Sequence, residues 1–284
     1  MDNILYFDIN SGISGDMTIA ALLDLGLDQA KFLAELDKLQ LSGYKIEIKK
    51  VQKNGITASD FKVILANPRH PDQLEHHEHE HHEHEHHEHE HHEHEHHEHE
   101  HHEHEHHEHE HRNFNDIKEL IMASELSQQV KELSLEIFSY VAAAEAKVHN
   151  KSIAEVHFHE VGAVDSIIDI VGTAILIEML EPDHIYASPI SLGTGFIKAA
   201  HGIIPVPAPA TIEILQKVPV YSTGVHGELV TPTGAAIIKT LAEKFIDLPE
   251  LEIEKIAYGA GKRDYEITNL LRVYQAKKKL MSNY

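Results

Sequence analysis

Residues 76–110 repeat HHEHE seven times and close on His111, so 22 of the chain's 29 histidines stand in one tract. No apolar residue interrupts it, and a segment with nothing to bury cannot offset the entropy of ordering its backbone. Residues 75–111 are therefore expected to leave the fold as a disordered His/Glu-rich insertion. The core must then be assembled from residues 1–74 and 112–284 as one discontinuous domain. With 42% apolar residues the chain has enough material for it.

The tract also distorts the charge. Of the formal −23, Glu75 and the 14 glutamates of the repeat supply 15, which leaves 24 bases against 32 acids. Such mild acidity offers no basic footprint for nucleic acid and no patch for an anionic membrane. Cysteine is absent, so any metal must be held by imidazole and carboxylate. The N-terminus MDNILYFDIN lacks the basic-then-apolar layout of a secretory signal, and the longest apolar run, 170–180, is too short to span a bilayer. A cytoplasmic protein is expected, and nothing in the sequence opposes a homo-oligomer.

Along the chain, ILYFDI reads as a buried strand, followed by the turn NSGISGD and an apolar helix that Gly26 ends. Residues 44–65 alternate in polarity about Asn54-Gly55, a dipeptide favoured in two-residue turns, and predict an antiparallel hairpin. Apolar residues from Leu126 to Val148 recur at steps of three and four, which marks a long amphipathic helix ended by His149 and Asn150. Residues 164–180 are apolar on nearly every side and predict a helix in the centre of the fold. Short strands follow around HIYASPISLG and VPVYSTG, with helices at 208–216 and 233–244 and closing strands in IEKIAYGAG and NLLRVYQA. The class is mixed α/β, a sheet of parallel and antiparallel strands flanked by helices.

Three regions carry chemistry. In the tract, imidazoles beginning with His76, His77, His79, His81 and His82 suit nickel, copper or zinc, and the glutamates between them offset cation charge. A low-complexity expansion tolerated in a loop is the plain alternative. The second region is VHFHEVGAVDSIIDIVG, residues 156–172. If it starts extended, His157 and His159 share one side and Glu160 follows. Asp165 and Asp169, four apart, stack on one face of an otherwise greasy helix, a costly pairing unless a cation or base sits between them. His157, His159, Glu160 and Asp165 are candidate metal ligands, and Asp169 with the two histidines a candidate catalytic set. Asp165 could equally cap the helix.

The third region pairs two loops at helix starts. Ser11, Gly12, Ser14, Gly15 and Asp16 can present backbone amides to a phosphate or carboxylate, although the P-loop Lys-Ser/Thr pair is missing. Asp8 and Asp16 flank this loop and could orient a ligand. Thr231, Thr233 and Gly234 of TPTGAA repeat the logic, with Thr231 or Thr233 as cap and Pro232 in the first turn. HGIIPVPAPAT holds His201, another candidate ligand, beside three prolines that stiffen the chain.

FDINSGISGDM, VHFHEVGAVDSIIDIVG, HGIIPVPAPAT, GELVTPTGAA and YGAGKRD, taken in order, resemble the blocks of the LarC family of nickel insertion proteins, which often carries a histidine-rich insertion at this place. The resemblance covers essentially the whole chain. It implies an enzyme, a nickel insertase of the metal-chelatase type. It would place Ni(II) in pyridinium-3,5-bisthiocarboxylic acid mononucleotide, forming one carbon–nickel and two sulfur–nickel bonds in the pincer cofactor used by lactate racemase. Complete members resembling this chain have a further C-terminal domain that binds CTP with a divalent metal. That domain is expected from a separate C-terminal polypeptide, since this sequence ends soon after YGAGKRD. The rival from another class is a non-enzymatic nickel store, in which the tract is the active part. Metal-dependent phosphate-ester hydrolysis fits the paired acids and histidines but finds no hydrolase motif.

Overall fold

The computed structural model describes residues 2–66, 112–156, 158, 164–199 and 202–278. The tract, His157, residues 159–163 and His201 lie outside them, and with them the readings made for His76, His77, His79, His81, His82, His157, His159, Glu160 and His201.

Strand β1 (Asn3–Asp8) runs straight into the loop before α1 (Gly15–Asp24). Its residues Leu5 and Phe7, with Ile9 beyond it, alternate into the main core, while Tyr6 and Asp8 point to the other face. The hairpin forms as expected from β2 (Tyr44–Lys53) and β3 (Ile56–Leu65), paired in register from Tyr44↔Leu65 to Lys53↔Ile56. Asn54 and Gly55 both have positive φ, 49° and 80°, the geometry of a type I′ turn. Helix α4 (Gln128–Val148) begins at Ser127, whose side chain accepts from the Val130 amide. Its cap is His149, after which Asn150 turns left-handed at φ 51°.

Helix α5 (Val164–Leu180) is the central element predicted from a segment apolar on nearly every side. Residues 167–168 and 170–177 are all buried, and Gly172 is small enough to let Ile19 and Phe32 close on the helix. Two helices carried weaker periodicity and escaped the sequence reading. They are α2 (Gln29–Asp37), capped by Asp28, and α3 (Phe114–Ala123), which opens on an Asn113/Asp116 capping box.

The remaining strands are β4 (His184–Ala187), β5 (Ile190–Thr194), β6 (Phe196–Ala199), β7 (Gly202–Pro205), β8 (Val220–His226), β9 (Lys244–Phe245), β10 (Leu251–Ala260) and β11 (Leu270–Lys278). Helix α6 (Pro209–Ile214) lies between β7 and β8, and α7 (Pro232–Leu241) precedes β9. The prolines of HGIIPVPAPAT divide their work, with Pro205 closing β7, Pro207 in a cis peptide and Pro209 opening α6. The ribbon β6–β7 was not anticipated from that stretch.

The main sheet has the order β2-β3-β10-β11-β1-β4-β9 and mixes parallel with antiparallel pairs, as the composition of elements implied. β4 runs parallel to β1 and β9 to β4, whereas β11 is antiparallel to both β1 and β10. Since β3 is parallel to β10, the strands β3, β10, β1, β4 and β9 all deliver their carboxyl ends to one rim. In open α/β sheets that rim is where ligands are held. Among the described residues no helix is long and apolar enough to cross a membrane.

Candidate functional site

The loop from Ile9 to Ser14 carries the chain from the rim to the start of α1, and a second loop locks it there. Ile13 donates to the Leu229 carbonyl at 2.9 Å and accepts from the Thr231 amide at 3.2 Å, so residues 229–231 run alongside it. Thr231, rather than Thr233, caps α7: its hydroxyl accepts from the Gly234 amide at 3.1 Å, with Pro232 as the first helical residue. A Cβ on Gly234 would stand 2.3 Å from the Ile13 carbonyl oxygen, so glycine is what lets the two helix starts meet. The two loops singled out in the sequence are therefore neighbours.

Against this double turn stands Asp169. A Cβ built on Gly15 would lie 2.5 Å from both Cβ and Oδ2 of Asp169, so the bare glycine is the surface the carboxyl packs on. The Asp16 amide at the start of α1 favours the ionised form of this carboxyl, as does the helix dipole. Its other oxygen, Oδ1, is buried and meets no hydrogen-bond donor among the described residues. Burial, and then the negative charges of Asp16 and Asp165, push the Asp169 carboxyl well above the usual carboxylate range; Lys262 and the Asp16 amide pull less strongly the other way. The i, i+4 stacking of Asp165 and Asp169 predicted from the sequence is therefore real. Asp165 also binds the next amide, accepting from Ser166 at 2.9 Å.

The base that such a pair calls for is Lys262, which the sequence reading did not single out. Its Nζ lies 3.4 Å from Asp16 Oδ2, forms an ion pair with Asp60 and donates to the Phe61 carbonyl at 2.7 Å. Asp16 is further pinned by the Ser14 hydroxyl and accepts from the Met17 amide at 2.9 Å. These bonds narrow the anion-binding reading of the loop. Gly12 donates to Ile9, Ile13 to Leu229 and Met17 to Asp16, and the Asp16 amide is turned to favour an ionised Asp169. The amides of Ser11, Ser14 and Gly15 are those left without a partner among the described residues. Any phosphate there would face two carboxyls.

Asp8 occupies the opposite face of β1. It accepts from the Tyr274 hydroxyl at 2.8 Å and the Asn10 amide group at 2.6 Å, and pairs with Arg272 at 2.5 Å. Arg272 is directly across the ladder from Asp8. The buried carboxylate is thereby neutralised, as its location requires. Among the described residues no three His, Asp or Glu side chains converge as a metal-holding group. The histidines of VHFHE, on which the metal reading rests, are outside those residues.

Comparison with known proteins supplies the family. The model of the nickel insertion protein family matches residues 5–283. A pyridinium-3,5-bisthiocarboxylic acid mononucleotide nickel insertion protein of Clostridium acetobutylicum is 54% identical over 277 residues, covering 95% of this chain and 63% of that protein. Proteins of the same description from Clostridium kluyveri and Geobacillus kaustophilus are each 47% identical, over 95% of this chain and 61% and 59% of their own lengths. The chain thus spans about three fifths of the length of these relatives. No solved structure matches it. With the match running through both helix-start loops, α5 and the Lys262 turn, this chain belongs to the nickel insertion protein family.

Proposed function

We propose that this chain takes up Ni(II) and inserts it into pyridinium-3,5-bisthiocarboxylic acid mononucleotide, as the names of its relatives describe for them. One observation carries the reading: a half-buried carboxyl, Asp169, with one buried oxygen that meets no donor among the described residues, at the meeting of two helix starts and in the same segment as the His157–His159–Glu160 motif. Forming a metal–carbon bond on the ring releases a ring proton, and a carboxyl whose pKa is raised by burial is a stronger base once ionised than one in water. Asp169 accepts that proton. His157, His159 and Glu160, assisted by Asp165 and His201, hold nickel with positions open to two substrate sulfurs. The unengaged amides of Ser11, Ser14 and Gly15, with the Thr231–Gly234 turn, receive the phosphate.

The body formed by residues 1–74 and 112–284 carries this site, and residues 75–111 concentrate nickel for it. CTP with a divalent metal enters on a CTP-binding C-terminal polypeptide, and the work is done in the cytoplasm. Purified chain mixed with substrate, nickel and CTP, with and without that polypeptide, tests the proposal by the mass of the nickel-bearing product. His157→Ala with His159→Ala should abolish insertion while the tract still loads nickel; full insertion by the double variant would refute the placement. A non-enzymatic store is favoured only by the tract itself. Deleting 75–111 separates the two, since an insertase given ample nickel keeps its activity and a store does not.

A further inference from the structure

Strand β10 keeps one edge that its own sheet leaves open. β11 lines the other edge from Leu251↔Lys278 to Ala260↔Leu270, whereas β3 meets β10 only at Gly259↔Ser59. Asp24 closes the next position by accepting the Tyr258 amide at 2.9 Å. Along Leu251–Ala257 no strand among the described residues takes up the backbone on that side. Such a row of unpaired N–H and C=O groups is a template for another strand.

The side chains there suit a partner rather than water. In a regular strand, residues three apart face opposite sides. A bulge between Ile253 and Lys255 breaks that alternation, so that Ile253 stands across from Ala276 and Ile256 across from Tyr274, both on the sheet face of Ile4 and Tyr6. The two isoleucines are 40% and 49% exposed, an apolar pair beside the open edge. Glu254 and Lys255 lie between them. Glu254 pairs with Lys277 of its own chain, and Lys255 gives one of its three N–H groups to the Leu25 carbonyl at 3.0 Å.

Run against itself, the stretch is complementary in charge and in shape. Antiparallel about a two-fold axis between Glu254 and Lys255, each Ile253 meets an Ile256 and each Glu254 meets a Lys255. The bulge makes this register possible, because only with it do the facing isoleucines share a side of the sheet. We infer that two copies of this chain join through the Leu251–Ala257 edges of β10, carrying the sheet from one protomer into its partner.

Sedimentation of the full chain over a range of concentrations, free of metal so that nickel bridges no tracts, tests the assignment. The wild type should sediment as a dimer. Ile253→Glu with Ile256→Glu, at two exposed positions, should give a monomer with an unchanged Tm. Glu254→Lys alone, or Lys255→Glu alone, sets like charges against each other twice across the axis and should weaken dimerisation roughly tenfold. The two reversals together restore opposite charges between copies and should recover the dimer, whereas their losses within one chain, at Lys277 and at the Leu25 carbonyl, would only add. A monomeric wild type, a dimer indifferent to the isoleucines, or a double reversal no tighter than the single ones would overturn the assignment.

Discussion

Replacing Asp169 by Asn asks whether the centre of the site is a strained acid or an ordinary buried anchor. In the native chain this carboxyl keeps its proton to a higher pH than in the unfolded chain, because burial and then Asp16 and Asp165 oppose its ionisation. Between the two pKa values the native state therefore binds more protons, and stability falls as pH rises. The contribution is intact below the unfolded value of about 3.9 and is lost progressively up to the native one, at a slope of about 1.4 kcal/mol per pH unit. An amide of the same shape has no proton to lose. The difference in stability, variant minus wild type, should then climb with pH by that slope, or about 3–5 °C in Tm per unit for a body of this size. Urea unfolding of both metal-free proteins from pH 5 to 8 measures it, and the subtraction removes the titration of every other group. A flat difference would show that Asp169 ionises normally. A variant weaker by about 3–5 kcal/mol at every pH would show an ionised, well-paired carboxylate instead, and either result would end the reading of Asp169 as a carboxyl of raised pKa.

Gly15→Ala forces a Cβ to within 2.5 Å of Asp169 and should cost about 1–3 kcal/mol in urea unfolding, with insertion lost before the fold. Lys262→Met removes a charge that favours ionised Asp169, so the pH dependence described above should extend to higher pH. An unchanged pH profile would remove Lys262 from the site. Thr231→Ala deletes the cap of α7 and should lower stability by about 1 kcal/mol, read from the urea midpoint. Deleting residues 75–111 should cut bound nickel strongly, by metal analysis, while the unfolding midpoint stays put.

What the sequence discloses here follows the range of the forces involved. The hairpin was legible because Asn54-Gly55 acts within four residues, and α5 because a helix apolar on nearly every side has only a central place to go. Helices α2 and α3 do carry local signals, Asp28 and the Asn113/Asp116 box, but short and partly polar faces hide them from a search for periodicity. Of the site, the residues near one another in sequence were found: Gly12, Gly15 and Asp16 in one loop, Asp165 and Asp169 one turn apart. Lys262 was not, since its approach to Asp16 and Asp60 depends on β10 lying parallel to β3, a pairing between strands two hundred residues apart that no spacing rule foretells.

That long-range pairing also explains why the acids can be gathered at all. Five strands pointing one way bring the ends of β3, β10, β1, β4 and β9 to one rim, and so set Asp60, Lys262, Asp8, Asn10 and Asp247 along it. β11, running against them, adds Arg272 from its own beginning. Each carboxyl there acquires a different character from its surroundings. Asp8 is paired with a guanidinium and Asp60 with an ammonium, burial and neighbouring acids raise the pKa of Asp169, and Asp247 pairs with nothing among the described residues. A rim of equal acids would only collect cations. One that pairs Asp8 and Asp60 with bases while leaving Asp169 with a raised pKa holds a single carboxyl of different basicity on the helix side of the sheet.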